Sequence, residues 1–282
     1  MRSIFNKTLL LIAFLMSALL IIIHNYSSVI YISLAEYEEI YLKNIQLQGI
    51  ECIDKEVLLL EERGNIFLLN DKILEKIASF YRPYAKTQKE KNVLVHPNSL
   101  LVLSNGSAFA SNTLTRLPAK IVKFNFKKLI SDFNLSKKNI DIILRPENIR
   151  SIHLEKIYHF NNEKILKAEK GFDSKYYNFT INDNTLNKQQ CEIEINEMSL
   201  QNLFLENNKT LYVVKNTIGN IGGLLKTYRF KNTNLDCPKI IKSEIKIYST
   251  LMELEGYIKC NKTEYVVFIK GKDSVIYKKN LT

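Results

Sequence analysis

Few residues of this 282-residue chain stand in patterns that support catalysis. The four histidines, His24, His96, His153 and His159, form no H-E-x-x-H pair, and the spacing of the last two matches no recognised metal-ligand pattern. There is no G-x-S-x-G nucleophile elbow and no phosphate-binding G-x-x-x-x-G-K-S/T loop, and GNIGG at 219–223 has the wrong spacing for a dinucleotide turn. An Asp-x-Asp metal-diphosphate motif is missing, and Asp183 lacks an acidic neighbour at the needed spacing. Glu192, Glu194 and Glu197 are the carboxylates nearest to an acid/base grouping. Glu192 and Glu194 lie two apart on a strand whose other face is Cys191, Ile193 and Ile195, so they read as its wet face. The chain is therefore expected to be no enzyme, with no catalytic residue, cofactor or metal ligand.

The four cysteines, Cys52, Cys191, Cys237 and Cys260, contain no C-x-x-C pair. Cys237 and Cys260 bracket a short strand-rich segment and are the expected disulfide, although four cysteines allow three connectivities or free thiols. After the apolar run, Asn-x-Ser/Thr triplets at Asn25, Asn105, Asn134, Asn178, Asn208, Asn261 and Asn280 would be glycan acceptors in a eukaryotic secretory protein, Asn25 excepted because it sits too near the membrane, but an Asn-rich chain also makes them by chance.

The elements that must position these residues read mainly as strands. Leu254, Gly256, Ile258 and Cys260 alternate with Glu253, Glu255, Tyr257 and Lys259, and Val267, Ile269 and Val275–Tyr277 follow as a three-strand meander. Similar runs occur at 45–52, 57–60, 66–69, 122–126, 140–144, 152–158, 191–195, 211–214 and 245–248. A helix is expected over Asp71–Arg82, capped by Asn70 or Asp71 and ended by Pro83, and a shorter one over Lys127–Phe133. Ala85–Asn92 and 219–223 read as exposed loops. Short strands without crossover helices predict a mainly β fold, an antiparallel jellyroll or sandwich-like domain.

Between Thr8 and Ala35 no residue carries a full charge, and Thr8–Ile23 is continuously apolar. Arg2 and Lys7 precede it and Glu36, Glu38 and Glu39 follow, which orients a single-pass anchor with its N-terminus in the cytoplasm. A cleaved signal peptide ending near Ala35 is the rival reading. The expected organisation is a cytoplasmic tail (1–7), an anchor (8–34), membrane-proximal strands and helix (35–98) and a β-rich extracytoplasmic domain (99–282). A net charge of +11 suits an anionic surface such as lipid head groups, and no nucleic-acid module is visible.

A short tail, one anchor and successive hairpins reading like MELEGYIKC (Met252–Cys260) resemble bacterial envelope proteins: type II secretion protein N, the lipopolysaccharide-transport anchor protein C and AsmA-like proteins. The likeness extends over Gly222–Gly271. It implies a β-jellyroll on the inner membrane, facing the periplasm, that scaffolds a secretion or lipid-transport assembly. Membrane lipid and other envelope proteins would be its partners. Leu254, Ile258, Val267 and Ile269 are the expected apolar sheet face, open to a partner strand or acyl chain. The alternative is a type II membrane enzyme such as a glycosyltransferase, or a eukaryotic secretory glycoprotein.

Overall fold

A computed structural model describes residues 29–80, 94, 96–113, 118–132, 140–144, 147–159, 162–216, 223–231, 237–248 and 250–281. Tight hairpins organise the chain. Asp54 and Lys55 both take positive φ between β3 (Leu47–Ile53) and β4 (Glu56–Glu61). Asn261 and Lys262 do the same between β19 (Glu253–Cys260) and β20 (Thr263–Lys270), the twist-matched geometry of two-residue hairpins.

These hairpins build five antiparallel sheets. The first continues from β3 and β4 into β5 (Asn65–Asn70) and β6 (Ile73–Ser79). The second holds β7 (Pro97–Val102), β8 (Ser107–Asn112), β9 (Ile121–Asn125) and β10 (Ile140–Leu144), with a short helix α1 (Phe126–Asp132) between its last two strands. The third holds β11 (Ile149–His159), β12 (Asn162–Gly171), β13 (Asn178–Asn182) and β14 (Gln189–Ile193). The fourth holds β15 (Asn202–Glu206), β16 (Thr210–Asn216), β17 (Gly223–Phe230) and β18 (Ile240–Tyr248), extended by β1 (Val29–Ile32) running parallel to β18. The fifth holds β19, β20 and β21 (Asp273–Asn280), completed by β2 (Glu38–Leu42) antiparallel to β21. The first strands of successive sheets touch in a ring, β3 to β7, β11, β15, β19 and back to β3. This is a five-bladed β-propeller, not a jellyroll.

A hydrophobic core fills each of the five seams. Leu58 and Leu60 pack with Phe80, Leu100 and Val122 between the first and second blades. Their neighbours Val57 and Leu59 pack with Ile258, Val267 and Ile276 between the fifth and first. Burial on both faces explains why Val57–Leu60 is continuously apolar rather than alternating.

Several expectations change with this architecture. Asp71, read as a helix cap, sits at φ 54° in the turn from β5 to β6, and Ile73–Ser79 is a strand. The Ile73–Glu75–Ile77 spacing serves a pleat as well as a helix, and hairpin pairing to β5 decides it. The short helix near Lys127 is present as α1. Leu254, Ile258, Val267 and Ile269 are buried and present no open face. A register shift between Leu254 and Gly256 turns Leu254 toward the fourth blade, whereas Ile258 and Val267 face the first. Val29–Ile32, expected inside the membrane anchor, is a strand of the fourth blade, and among the described residues no helix is long and apolar enough to cross a membrane. The single-pass inner-membrane placement is corrected accordingly. Thr8–Ser28 and Ala85–Asn92 lie outside the described residues.

Ring closure concentrates the polar interactions. Lys278 of β21 bridges Glu38 of β2 (3.1 Å) and Asp71 of the first blade (2.6 Å), and Ser274 Oγ accepts from the Leu47 N–H (2.9 Å). Cys52 of β3 is bonded to Cys260 of β19, and Cys191 of β14 to Cys237 before β18, which replaces the expected Cys237–Cys260 pair. Cys260 lies in the seam between the fifth and first blades, and Cys191 beside the seam between the third and fourth. Replacing Cys52 and Cys260 together by serine is expected to lower unfolding free energy by about 2–5 kcal/mol, because that bond closes a long loop. Urea unfolding monitored by circular dichroism reads it; an unchanged midpoint would show that β2 alone secures the ring.

Candidate active site

The innermost strand of each blade pairs on one side only, so backbone groups along the axis need other partners. Side chains of the neighbouring blades supply them. Glu51 Oε1 of β3 accepts from the Leu100 N–H of β7 (3.2 Å), and Ser99 Oγ of β7 accepts from the Leu154 N–H of β11 (2.9 Å). Glu155 of β11 accepts from the Lys156 N–H (2.7 Å) and from the backbone of Leu205 on β15.

Nearer the start of the inner strands, a second layer joins three blades. Asn202 Nδ2 of β15 donates to Asn98 O of β7 (3.5 Å), directly linking the fourth and second blades. With its amide oxygen accepting from the Thr113 N–H (2.9 Å), Asn98 donates to His96 O (3.3 Å). Thr113 Oγ1 lies 2.6 Å from Ser151 Oγ, which also receives the Tyr177 hydroxyl (2.8 Å) and lies 3.3 Å from His153 Nε2. Gln201 Nε2 donates to Glu255 Oε1 of β19 (3.4 Å). Each inner strand thus contributes buried polar groups: Glu51, Asn98 and Ser99, Ser151 and His153, Asn202, and Glu255. Among the described residues, the fully buried Asn202 Oδ1 finds no donor.

The strands approach closely enough here that side-chain volume is limiting. A Cβ on Gly256 would stand 2.5 Å from Ile50 Cγ2, and one on Gly49 would stand 3.0 Å from Asn98 O.

Burial sets the titration of this layer. Burial, and then the charge of Glu155, push the Glu51 carboxyl well above the usual carboxylate range. Burial pushes Glu155 up to about 7 against the pull of its backbone donors. Burial also lowers His153 to about 3, so it is neutral. The charge of Glu155 thus reaches Glu51, and burial favours the protonated form of both carboxyls.

A second buried carboxylate is fully neutralised. Glu197, between β14 and β15, pairs with Lys226 (2.9 Å), with Lys215 and with the Tyr228 hydroxyl. It locks the seam between the third and fourth blades rather than offering free chemistry.

The residues weighed from sequence fall as follows. Glu192 and Glu194 are exposed, in keeping with a wet face. His153 is a core histidine, His96 pairs with Glu62 (3.3 Å), and His24 lies outside the described residues. Glu51, Glu155 and Glu255 escaped notice because each occupies an alternating strand position that reads as solvent-facing; only closure of the ring buries them. GIEC around Glu51 and HLEK around Glu155 carry no shared spacing, since the pair is joined across two blades.

No family model matches the chain. It is 28% identical over 246 residues to the ATP-dependent RNA helicase HrpA of Borreliella burgdorferi, a match covering 76% of this chain; the chain spans about 29% of that protein's length. Among solved structures it is similar to a putative glycoside hydrolase of Parabacteroides distasonis (11% identity, TM-score 0.51, 87% of this chain and 89% of that one). A putative glycoside hydrolase of Bacteroides ovatus matches with 10% identity, TM-score 0.52 and 86% of each chain. An exo-β-1,3-galactanase of Phanerochaete chrysosporium matches with 9% identity and TM-score 0.52, over 83% of this chain and 59% of that one. At these identities the likeness establishes the fold alone. It replaces the jellyroll on which the reading of a non-catalytic secretion or lipid-transport scaffold rested, and the expectation that the chain is no enzyme loses its support, since proteins named as glycoside hydrolases are among those with this fold.

The buried carboxyls have a signature in stability. A carboxyl whose folded pKa is raised makes the folded state bind more protons than the unfolded one, so stability falls as pH rises from the ordinary 4.5 toward the folded value. His153, with its pKa lowered from 6.5 to about 3, acts oppositely, losing stability as pH falls through that window. Glu51→Gln is expected to remove part of the decline above pH 4.5 while leaving the His153 limb intact. Urea midpoints of both proteins from pH 4 to 9 test this; parallel curves would show that Glu51 ionises normally.

Proposed function

We propose that this chain hydrolyses glycosidic bonds at the propeller axis, with Glu51 as general acid and Glu155 as its carboxylate partner. The observation that carries the reading is that the inner strands of the first and third blades bring Glu51, on the Leu100 N–H of β7, and the half-buried Glu155, on the Lys156 N–H, to the axis, where the charge of Glu155 acts on Glu51. Glycoside hydrolysis needs such a pair: one protonates the leaving oxygen, and the other activates water or attacks the anomeric carbon. Glu51, whose protonated form is favoured by burial and then by the charge of Glu155, suits the first role, and Glu155, pushed up to about 7, suits the second. Gln201, half-buried beside Glu255, supplies an amide for a sugar hydroxyl. The same fold in an exo-β-1,3-galactanase supports the choice of substrate class.

The test is turnover of a panel of aryl glycosides and β-linked oligosaccharides by the purified chain. The rate is expected to rise through the ionisation of Glu155. Glu51→Gln is expected to lower kcat on oligosaccharides by roughly 10²–10⁴-fold, the usual worth of general acid catalysis, and less on aryl glycosides whose leaving group needs little protonation. Absence of turnover across the panel, or wild-type rates in both Glu51→Gln and Glu155→Gln, would refute the reading.

A further inference from the structure

Away from the axis, the fourth blade carries a cleft of about 490 Å³ on the side that faces the fifth. Strand register builds it. Tyr212, Thr227 and Glu244 lie opposite one another across β16, β17 and β18, with Thr210 beside Arg229 in the next row and Lys246 beside Leu225 in the row behind. Lys209 of the β15–β16 turn and Lys259 of the fifth blade complete the wall.

Its charges do not balance. Four cations, Lys209, Arg229, Lys246 and Lys259, line the cleft against two carboxylates, Glu206 and Glu244. Both carboxylates are already engaged: Glu206 by Lys259 (2.9 Å) and the Tyr212 hydroxyl (2.7 Å), Glu244 by Lys242 (2.5 Å). Among the described residues, Lys209, Arg229 and Lys246 form no ion pair within 4.0 Å, although the charges of Arg229 and Lys246, after Lys242, help to lower the titration of Glu244. This contrasts with Glu197, where each cation meets a carboxylate oxygen. Beside the three cations lies the exposed side chain of Ile241, so the cleft combines an anion-binding edge with an apolar patch. Its volume matches that of small-molecule sites, and the Arg229 fork suits two oxygens of one oxyanion.

We propose that this cleft binds a small organic oxyanion, a phosphate, sulfate or carboxylate held by Lys209, Arg229 and Lys246 on a ring that lies against Ile241. The proposal is independent of the glycosidase reading, because the cleft shares no residue with the axial layer. Isothermal titration of the full chain with phenyl phosphate, phenyl sulfate and benzoate tests it and distinguishes the head groups. At least one is expected to bind with 1:1 stoichiometry, more tightly than inorganic phosphate, and to weaken as salt is raised. Phenol is expected not to bind at the same concentration. Arg229→Ala, and separately Lys246→Ala, should weaken binding about tenfold or more, the worth of one charge-assisted hydrogen bond. Lys272→Ala, at an exposed turn of the fifth blade, should leave it unchanged, and so should Glu51→Gln at the axis. Failure of all three aryl anions to saturate, equal binding of phenol, or equal losses in Lys272→Ala and Arg229→Ala would overturn the proposal.

Discussion

The structure depends on joining its last blade to its first. Five sheets arranged around an axis bury their faces only if the fifth meets the first, and here β19 lies against β3 while β2, from the start of the described chain, completes the fifth blade. Every apolar seam inherits from that closure. Without it, Val57, Leu59 and Leu69 on one side and Ile258, Val267 and Ile276 on the other would meet water together. The Cys52–Cys260 bond and the Lys278 bridges sit at this junction, which a linear chain reaches only after all five blades have formed.

Closure also creates the axial site. Five inner strands brought edge to edge leave too little room for large side chains, as Gly49 and Gly256 show, and leave backbone groups that polar residues must satisfy. Glu51, Ser99 and Glu155 do so while being removed from solvent. The raised titration of Glu51 and Glu155 is therefore a consequence of tertiary closure rather than of local sequence.

Much of the strand content was legible. The runs at 57–60, 66–69 and 140–144 and the late meander appear close to where alternation and apolar clustering put them, because each is a local property of a pleated segment. The arrangement of sheets was not legible, since a propeller, a sandwich and a jellyroll all draw on short antiparallel strands. Hairpin turns draw on residues that tolerate left-handed backbone. Asn208 and Asn261 take positive φ in turns, and Thr210 and Thr263 open the strands that follow, so turn formation alone is a reason for two of the Asn-x-Thr triplets. Asp71 was read as a cap for the same reason: a residue that tolerates left-handed backbone also favours helix starts. The axial carboxylates stayed hidden because alternation alone cannot distinguish a position facing water from one facing the next blade.

The pairing of β2 with β21 has a mechanical corollary. Glu38 stands opposite Lys278 and Leu42 opposite Ser274, so the flanking segments leave this pair at the same end. Tension applied between them would peel the two strands apart one rung at a time, a low-force mode, instead of shearing all rungs at once. Beyond Cys52 the peeling would stop, because the covalent link to Cys260 carries the load and shields the four blades between those cysteines from extension. A tug from outside would thus strip β1 from the fourth blade and fray the fifth while the rest of the ring held its shape.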